Sequence, residues 1–218
     1  MSEEDSTNTI LSDRRMALFG ESKDGDWRTA PKLVFSVYRG SIGITIFTND
    51  QNDTGQGPIR ASLGPALWQM FVDAVYQMSD PSTQNEELRK FQIQSQQGQQ
   101  ISTQCEVVVG KDEQGIVYCA VIQEGRPKKK IPIAPPNLIE FYDANNQPLD
   151  ASAKSSIFAR AFITQIDRHV TAIARNTWQP MPQQNNGSGN GQQSTQVPGA
   201  PSQGSTQEQA PIGDDLPL

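Results

Sequence analysis

The chain has 218 residues with a formal net charge of −6, which is enough for one ordinary domain or two small ones. Hydrophobic residues make up 35 % of it, below the roughly 45–50 % usual for a globular domain. No run of about 18 apolar residues occurs, so we expect no transmembrane helix. The acidic, polar start is unlike a secretory signal peptide, and we expect a cytoplasmic protein (bacterial or host-cell cytoplasm) with reduced thiols.

The acidic residues are concentrated at the two ends of the chain. Seven of the 24 lie in residues 1–13 and 179–218, which contain no lysine or arginine, so residues 14–178 carry 17 acids against 18 bases. A near-neutral body can present local basic patches, whereas the charge of the whole chain argues against a polyanionic partner. We interpret residues 1–13 as a disordered acidic arm and residues 14–178 as the folded domain.

The first half of the folded segment has the pattern of several strands followed by one helix. Apolar or alternating runs bounded by turn residues predict strands at 16–19, 32–38, 41–48 and 58–63. Gly64 and Pro65 then predict the start of a helix, which Asp80-Pro81 ends. Spacings of three and four predict the apolar face of this helix, formed by Leu67, Met70, Phe71, Ala74, Val75 and Met78, with Trp68 also in the core.

The second half repeats this order. Residues 82–103 are polar and glutamine-rich, and we interpret them as a long, partly flexible connection. Strands are predicted at 104–109 and 116–123, joined by the turn KDEQG, and at 128–133 and 138–142. Asp150 or Ser152 can cap a last helix of roughly 20 residues. The apolar face of this helix is predicted to be Ile157, Phe158, Ala161, Phe162, Ile166, Val170 and Ile173.

The element order predicts an α+β fold with antiparallel β-sheets and two helices, in which a β4–α unit is duplicated. An OB-fold barrel is the alternative. Among the large aromatic residues, Phe35, Phe47 and Phe141 are expected to fill the core.

The end of the chain has two parts. Residues 179–212 consist almost entirely of Gln, Asn, Gly, Ser, Thr and Pro and are predicted to be a disordered linker. Residues 213–218 are predicted to be an acidic tip that binds partner proteins. Leu216, Pro217 and Leu218 offer apolar groups to a pocket on the partner. Asp214, Asp215 and the terminal carboxylate would meet Lys or Arg at the rim of that pocket.

The linker and its terminal Asp-Asp-Leu-Pro-Leu resemble the C-terminal tail of bacterial single-stranded DNA-binding proteins, whose tip docks onto replication and repair enzymes. That family usually ends in Phe, whereas this chain ends in Leu218. The body is similar in pattern to the Whirly family and the related transcriptional positive cofactor family. The likeness is carried by CEVVVGKDEQGIVYCAVIQ, KKKIPIAPPNLIEFY and the long helix. The resemblance implies a bacteriophage or bacterial protein that binds single strands on a curved antiparallel sheet, and a homo-oligomer is compatible with it.

Binding of single strands without sequence preference requires cations along the phosphates and flat side chains on which bases stack. The stacking candidates are Trp27, Tyr38 and Tyr118, although the two tyrosines could equally fill the core. The lysine run at 128–130 could equally be a solvated turn. The candidates for phosphate contacts are Lys32, Arg39, Arg60, Arg126, Lys128, Lys129 and Lys130.

Catalytic and metal-binding motifs are missing from the sequence. His169 is the one histidine, and neither a phosphate-binding glycine loop nor a G-x-S-x-G motif occurs. We therefore expect no enzymatic activity, no cofactor and no metal. Cys105 and Cys119 are expected to be small buried thiols, nearly opposite each other across the KDEQG turn and able to pair if oxidised.

The predicted function is that of a single-stranded DNA-binding protein. Such a protein coats and protects unpaired DNA in replication, recombination or repair, and its tip recruits replication or repair enzymes. Two alternatives stay open: a transcription or RNA-binding cofactor that uses the same sheet, and an adaptor protein without affinity for nucleic acid.

Overall fold

The computed structural model describes residues 16–177, except for 23–24, 27, 39, 51, 54, 56, 98–99 and 137–138. For residues 95–97, 100, 101 and 177 it describes the backbone alone. All of these residues belong to one compact unit, Met1–Pro180. The predicted acidic arm, the linker and the tip lie outside the described residues, as do the binding candidates Trp27 and Arg39.

Two antiparallel sheets of four strands, each followed by a helix, make up the described chain. The first sheet contains β1 (Leu18–Phe19), β2 (Lys32–Tyr38), β3 (Ser41–Phe47) and β4 (Ile59–Leu63), and α1 (Pro65–Met78) follows it. The second sheet contains β5 (Leu88–Gln97), β6 (Gln100–Lys111), β7 (Val117–Ile122) and β8 (Ile131–Pro132), and α2 (Ala151–Thr177) follows it. The α+β class and the repeated β4–α order are thereby confirmed. Within the described residues both sheets are open, unlike the barrel of the alternative prediction.

The period-two pattern of the first sheet decides which side chains face the core. On β2, Leu33, Phe35 and Val37 are buried, whereas the side chains between them are more exposed. The isoleucines of β3 are buried in the same way. Gly40 completes the β2–β3 turn with φ 79, a left-handed conformation that glycine adopts without steric cost. The sheet therefore has one apolar face toward the core and one face toward solvent.

Both sheets and both helices share one hydrophobic core. Its centre contains an aromatic group in which the Phe35 ring lies 5.8 Å from Trp68 and 6.2 Å from Phe162. Trp68 also donates a hydrogen bond from Nε1 to Oδ1 of Asp167 at 2.7 Å. This bond joins α1 to α2 and satisfies the only polar atom of a buried indole.

The predicted apolar faces of the two helices are partly wrong. Leu67 and Met70 on α1, and Ile157 and Ala161 on α2, are exposed. In α1, Trp68 and Val72 replace Leu67 and Met70 in the buried stripe, and the other four predicted residues are buried, so the buried face is rotated by roughly 50° from the predicted one. The large rings of Trp68 and Phe71 fill the space against Phe35, and this packing fixes the rotation.

The interpretation of residues 82–103 as a connection is wrong, because most of them form β5 and the start of β6. The two strands pair from Leu88–Gly110 to Gln97–Gln100, with a register shift at Ile93 and Gln94. Phe91 and Ile93 alternate with glutamine and pack against the main core, but the glutamine and serine residues that follow give no apolar pattern, so the sequence indicates only a short part of the ladder with β6.

The strands predicted at 128–133 and 138–142 are also revised. The first shrinks to the two residues of β8, and the second forms no strand beyond a bridge between Tyr142 and Pro148. A local turn explains the second difference, because Asp143 Oδ1 accepts hydrogen bonds from the backbone N–H groups of Asn145 and Gln147. By contrast, the predicted cap of the last helix is confirmed. Asp150 Oδ1 accepts from the Ala153 N–H at 2.7 Å.

The two cysteines are buried and free, as expected, but they do not face each other. Cys119 pairs with Val109, whereas Cys105 lies four residues away along β6 and pairs with Ile93. Four residues of strand span roughly 13 Å, well beyond the Cα separation that a disulfide allows. The expectation that the two thiols could pair is therefore wrong.

We expect both thiols to resist a water-soluble thiol reagent in the native protein and to react once denaturant is added. Burial raises the pKa of Cys105 and raises the pKa of Cys119 to about 12, so little of the reactive thiolate is present at mildly alkaline pH. A colorimetric thiol titration with and without denaturant measures this. Rapid reaction of both thiols in the native protein would contradict the described burial.

Candidate nucleic-acid interface

The side of the first sheet that faces away from the main core runs across β2, β3 and β4 and is partly exposed, although Thr45 within it is buried. Strand register places its residues in rows: Lys32 beside Phe47, Val34 beside Thr45 and Arg60, Ser36 beside Gly43 and Ser62, and Tyr38 beside Ser41. We call this set the first-sheet face. None of its members is acidic.

Cationic and aromatic side chains lie along this face. The Lys32 Nζ is 4.9 Å from the centre of the Phe47 ring. Arg60 is exposed on β4, and Tyr38 is 54 % exposed at the far end of β2. The row between them consists of Ser36, Gly43 and Ser62. The face can therefore offer two positive charges and two aromatic rings beside a strip of small polar groups.

Three of the predicted binding residues lie on this face: Lys32, Tyr38 and Arg60. Phe47 was expected in the core but lies on the solvent side, half-buried under Lys32. The sequence contains a signal for this, because Ile42, Ile44 and Ile46 face the core and the residue after Ile46 must face the other way. Phe35 is in the core as predicted, and Phe141 is half-buried outside the main core cluster.

The structure places Arg126 in an ion pair instead of on a solvent-facing surface. Its Nε and Nη2 donate to the two carboxylate oxygens of Asp53 at 2.5 and 2.8 Å, and Nη2 also donates to the Gly57 carbonyl at 2.6 Å. Thr48 Oγ1 donates to the same carboxylate at 2.6 Å. The side chains of Arg126 and Asp53 are only 10 % and 5 % exposed. This pair ties the β7–β8 loop to the β3–β4 loop.

The electrostatics of the pair agree with this geometry. The hydrogen bonds from Arg126 and then Thr48 hold the pKa of the Asp53 carboxyl well below its usual range. The hydrogen bond to Asp53 in turn raises the pKa of Arg126. Both groups are thus held in their charged forms, and a phosphate could take the positions at Nε and Nη2 of Arg126 only by displacing Asp53.

The remaining predicted residues lie around the second sheet. Lys129 pairs with Asp50, with 2.6 Å between Nζ and Oδ2, whereas Lys128 is exposed. Tyr118 is only 7 % exposed. The exposed Lys130 places its Nζ 4.8 Å from the centre of the Tyr118 ring. The structure therefore divides the predicted residues between the first-sheet face and a separate group near Tyr118.

The described residues also bear on two other classes of site, metal centres and membrane spans. Among the described residues there is no group of three His, Cys, Asp or Glu side chains that could hold a metal ion. His169 is exposed on α2. In the described part of the chain, no helix has both the length and the apolar character needed to cross a bilayer.

Comparisons with known proteins add no relative. No protein-family model matches the chain, and no curated protein or solved structure matches it significantly. We therefore infer the function of the chain from its own geometry and charge.

Proposed function

We propose that this protein binds single-stranded DNA on the first-sheet face, without sequence specificity. The observation that supports the proposal is the combination of Lys32, Arg60, Tyr38 and Phe47 on one acid-free side of a sheet. Stacking on aromatic rings tolerates every base, and cations follow the phosphates, so such a surface suits unpaired strands. In a duplex the base faces are stacked on one another and are not available to Tyr38 or Phe47.

In the cell, the proposed role is to coat and protect unpaired DNA during replication, recombination or repair in the cytoplasm. The C-terminal tip at 213–218 is proposed to recruit replication or repair enzymes, a role supported by its sequence. The tip has two acidic side chains and no basic side chain, so it is suited to a basic, partly apolar pocket on a protein and not to a phosphate backbone. DNA binding and recruitment would then use different parts of the chain.

The number of cations on the face sets the expected salt dependence. Each phosphate neutralised on a single strand contributes about −0.7 to the slope of log K against log salt. Two contacts, through Lys32 and Arg60, predict a slope of about −1.4. Such a protein would hold DNA with a shallow salt dependence and would rely on stacking for much of its affinity.

The test is an anisotropy titration of the full chain with labelled oligo-dT at two salt concentrations. Oligo-U and a DNA duplex of equal length serve as competitors. We expect oligo-dT to bind with a shallow salt dependence and the duplex to compete poorly. No binding at low salt would overturn the proposal in favour of an adaptor protein, and clear preference for oligo-U would favour an RNA-binding cofactor.

A further inference from the structure

A polar cleft of about 560 Å³ lies where the residues before β2, the β3–β4 loop and the β7–β8 loop meet. This volume falls within the range of small-molecule sites. Two of its lining residues, Pro31 and Thr48, are adjacent in the chain to Lys32 and Phe47. The cleft therefore begins one residue beyond the end of the first-sheet face. A strand lying along that face would reach it.

The ring of Tyr118 forms a rigid part of the cleft wall. It packs with Val108 and Ala120 on the side of the second sheet away from the main core. The strand partner of Tyr118 is Gly110, where an added Cβ would lie 2.7 Å from the phenol oxygen. A larger residue at this position would clash with the ring, so Gly110 allows the ring to lie against the neighbouring strand. Tyr118 is only 7 % exposed, and the ammonium of the exposed Lys130 lies over its ring. A ligand would therefore have to displace Lys130 to stack on the ring.

Charge determines which part of a nucleotide would enter the cleft. Its lining includes the carboxylates of Glu21, Asp50 and Asp112 against the ammonium groups of Lys129 and Lys130. The pair of Lys129 with Asp50 matches two of these charges and leaves Glu21 and Asp112 against Lys130. Oδ1 of Asp112 also accepts hydrogen bonds from the backbone N–H groups of Gln114 and Ile116. An interior with excess negative charge disfavours a phosphate. It favours groups that donate hydrogen bonds, such as the exocyclic amine of cytosine or adenine.

We propose that this cleft binds one unstacked nucleobase with an exocyclic amine, stacked on Tyr118 and held at its amine by the lining carboxylates. Lys130 then moves from the ring to the neighbouring phosphate at the mouth. This inference rests on the proposed function, since the base belongs to the strand on the first-sheet face. It adds a modest preference for a base with an exocyclic amine at one position to binding that is otherwise independent of sequence.

The experiment compares an oligo-dT of about 15 nucleotides with the same oligonucleotide containing one central dC. The full chain is titrated by anisotropy. We expect the dC oligonucleotide to bind roughly 3–10 times more tightly. Tyr118→Leu should weaken its binding about tenfold and remove the preference, whereas Tyr118→Phe should retain both. Tyr142→Leu is the matched control, because Tyr142 is exposed and does not line the cleft.

A second variant protects the test against misfolding of Tyr118→Leu. Glu21 is exposed and lines the cleft, so Glu21→Gln should reduce the dC preference without changing the Tm. If the wild-type chain binds oligo-dT but shows no dC preference, or if both variants keep the preference, the cleft inference is wrong and the proposed function stands. If the wild-type chain binds neither oligonucleotide, the proposed function itself fails.

Discussion

Replacing Arg126 with methionine is expected to lower the Tm of the protein by roughly 5–10 °C. The substitution leaves the almost fully buried Asp53 carboxylate with Thr48 and the Gly55 N–H as its hydrogen-bond donors. It also removes the bonds that connect the β7–β8 loop to the β3–β4 loop. Thermal unfolding followed by circular dichroism measures the effect.

The same ion pair predicts that the stability of the protein depends on pH. The pKa of Asp53 is depressed in the folded state, so the contribution of the pair is present above the unfolded-state pKa of about 4 and is lost as pH falls below it. The Tm difference between wild type and Arg126→Met should therefore shrink in acid. A difference that grew as the pH fell would contradict this assignment.

Arg160 provides the matched control for Arg126. It pairs with Asp80 at 3.3 Å, but both side chains are about half exposed, at 49 % and 47 %. Exposed pairs contribute little to stability, so Arg160→Met should leave the Tm almost unchanged. Equal losses for the two variants would show that the location of the Arg126 pair between two loops has no special importance.

The second large expected effect is on the affinity for single-stranded DNA. The double variant Lys32→Glu/Arg60→Glu is expected to weaken oligo-dT binding by the full chain roughly 100-fold at low salt. Two phosphate contacts are lost, and two negative charges are added to a face without acids. The loss should shrink as salt is raised, because added ions screen the new repulsion. Anisotropy titrations over a series of salt concentrations measure both quantities.

A control with the same change in net charge is available on α2. Arg168 and Arg175 are exposed on this helix and are not part of the first-sheet face. Arg168→Glu/Arg175→Glu should change affinity several-fold at most. If both double variants lost affinity equally, the chain would be responding to its overall charge, and the first-sheet face would not be the binding surface.

The first sheet could be predicted from the sequence because its pattern is local. Alternating isoleucines on β3 and the turn at Gly40 define both the hairpin and its buried face. The same alternation places Lys32 and Phe47 together. Here the period-two pattern of the side chains and the pairing of the strands place the same residues on each face, so most of the candidate face could be predicted from the sequence.

The features that sequence reasoning missed depend on contacts between distant residues. The mostly polar strand β5 is defined by its pairing with β6, together with two apolar side chains that pack against the core, and the rotation of α1 depends on how Trp68 packs against Phe35. Arg126 and Asp53 are separated by 73 residues, so no local pattern indicates that the arginine is already paired. A basic residue in a loop therefore cannot be assigned to a phosphate until its neighbours in space are known.

The most direct test of the central claim is photo-crosslinking of the full chain to an oligonucleotide that carries 5-iodouracil, followed by mapping of the crosslinked peptide by mass spectrometry. Bases stacked on the first-sheet face should crosslink to Tyr38 or Phe47, which lie on that face. Crosslinks confined to peptides of α1 or α2, with none in the β2–β3 hairpin, would contradict this account of DNA binding.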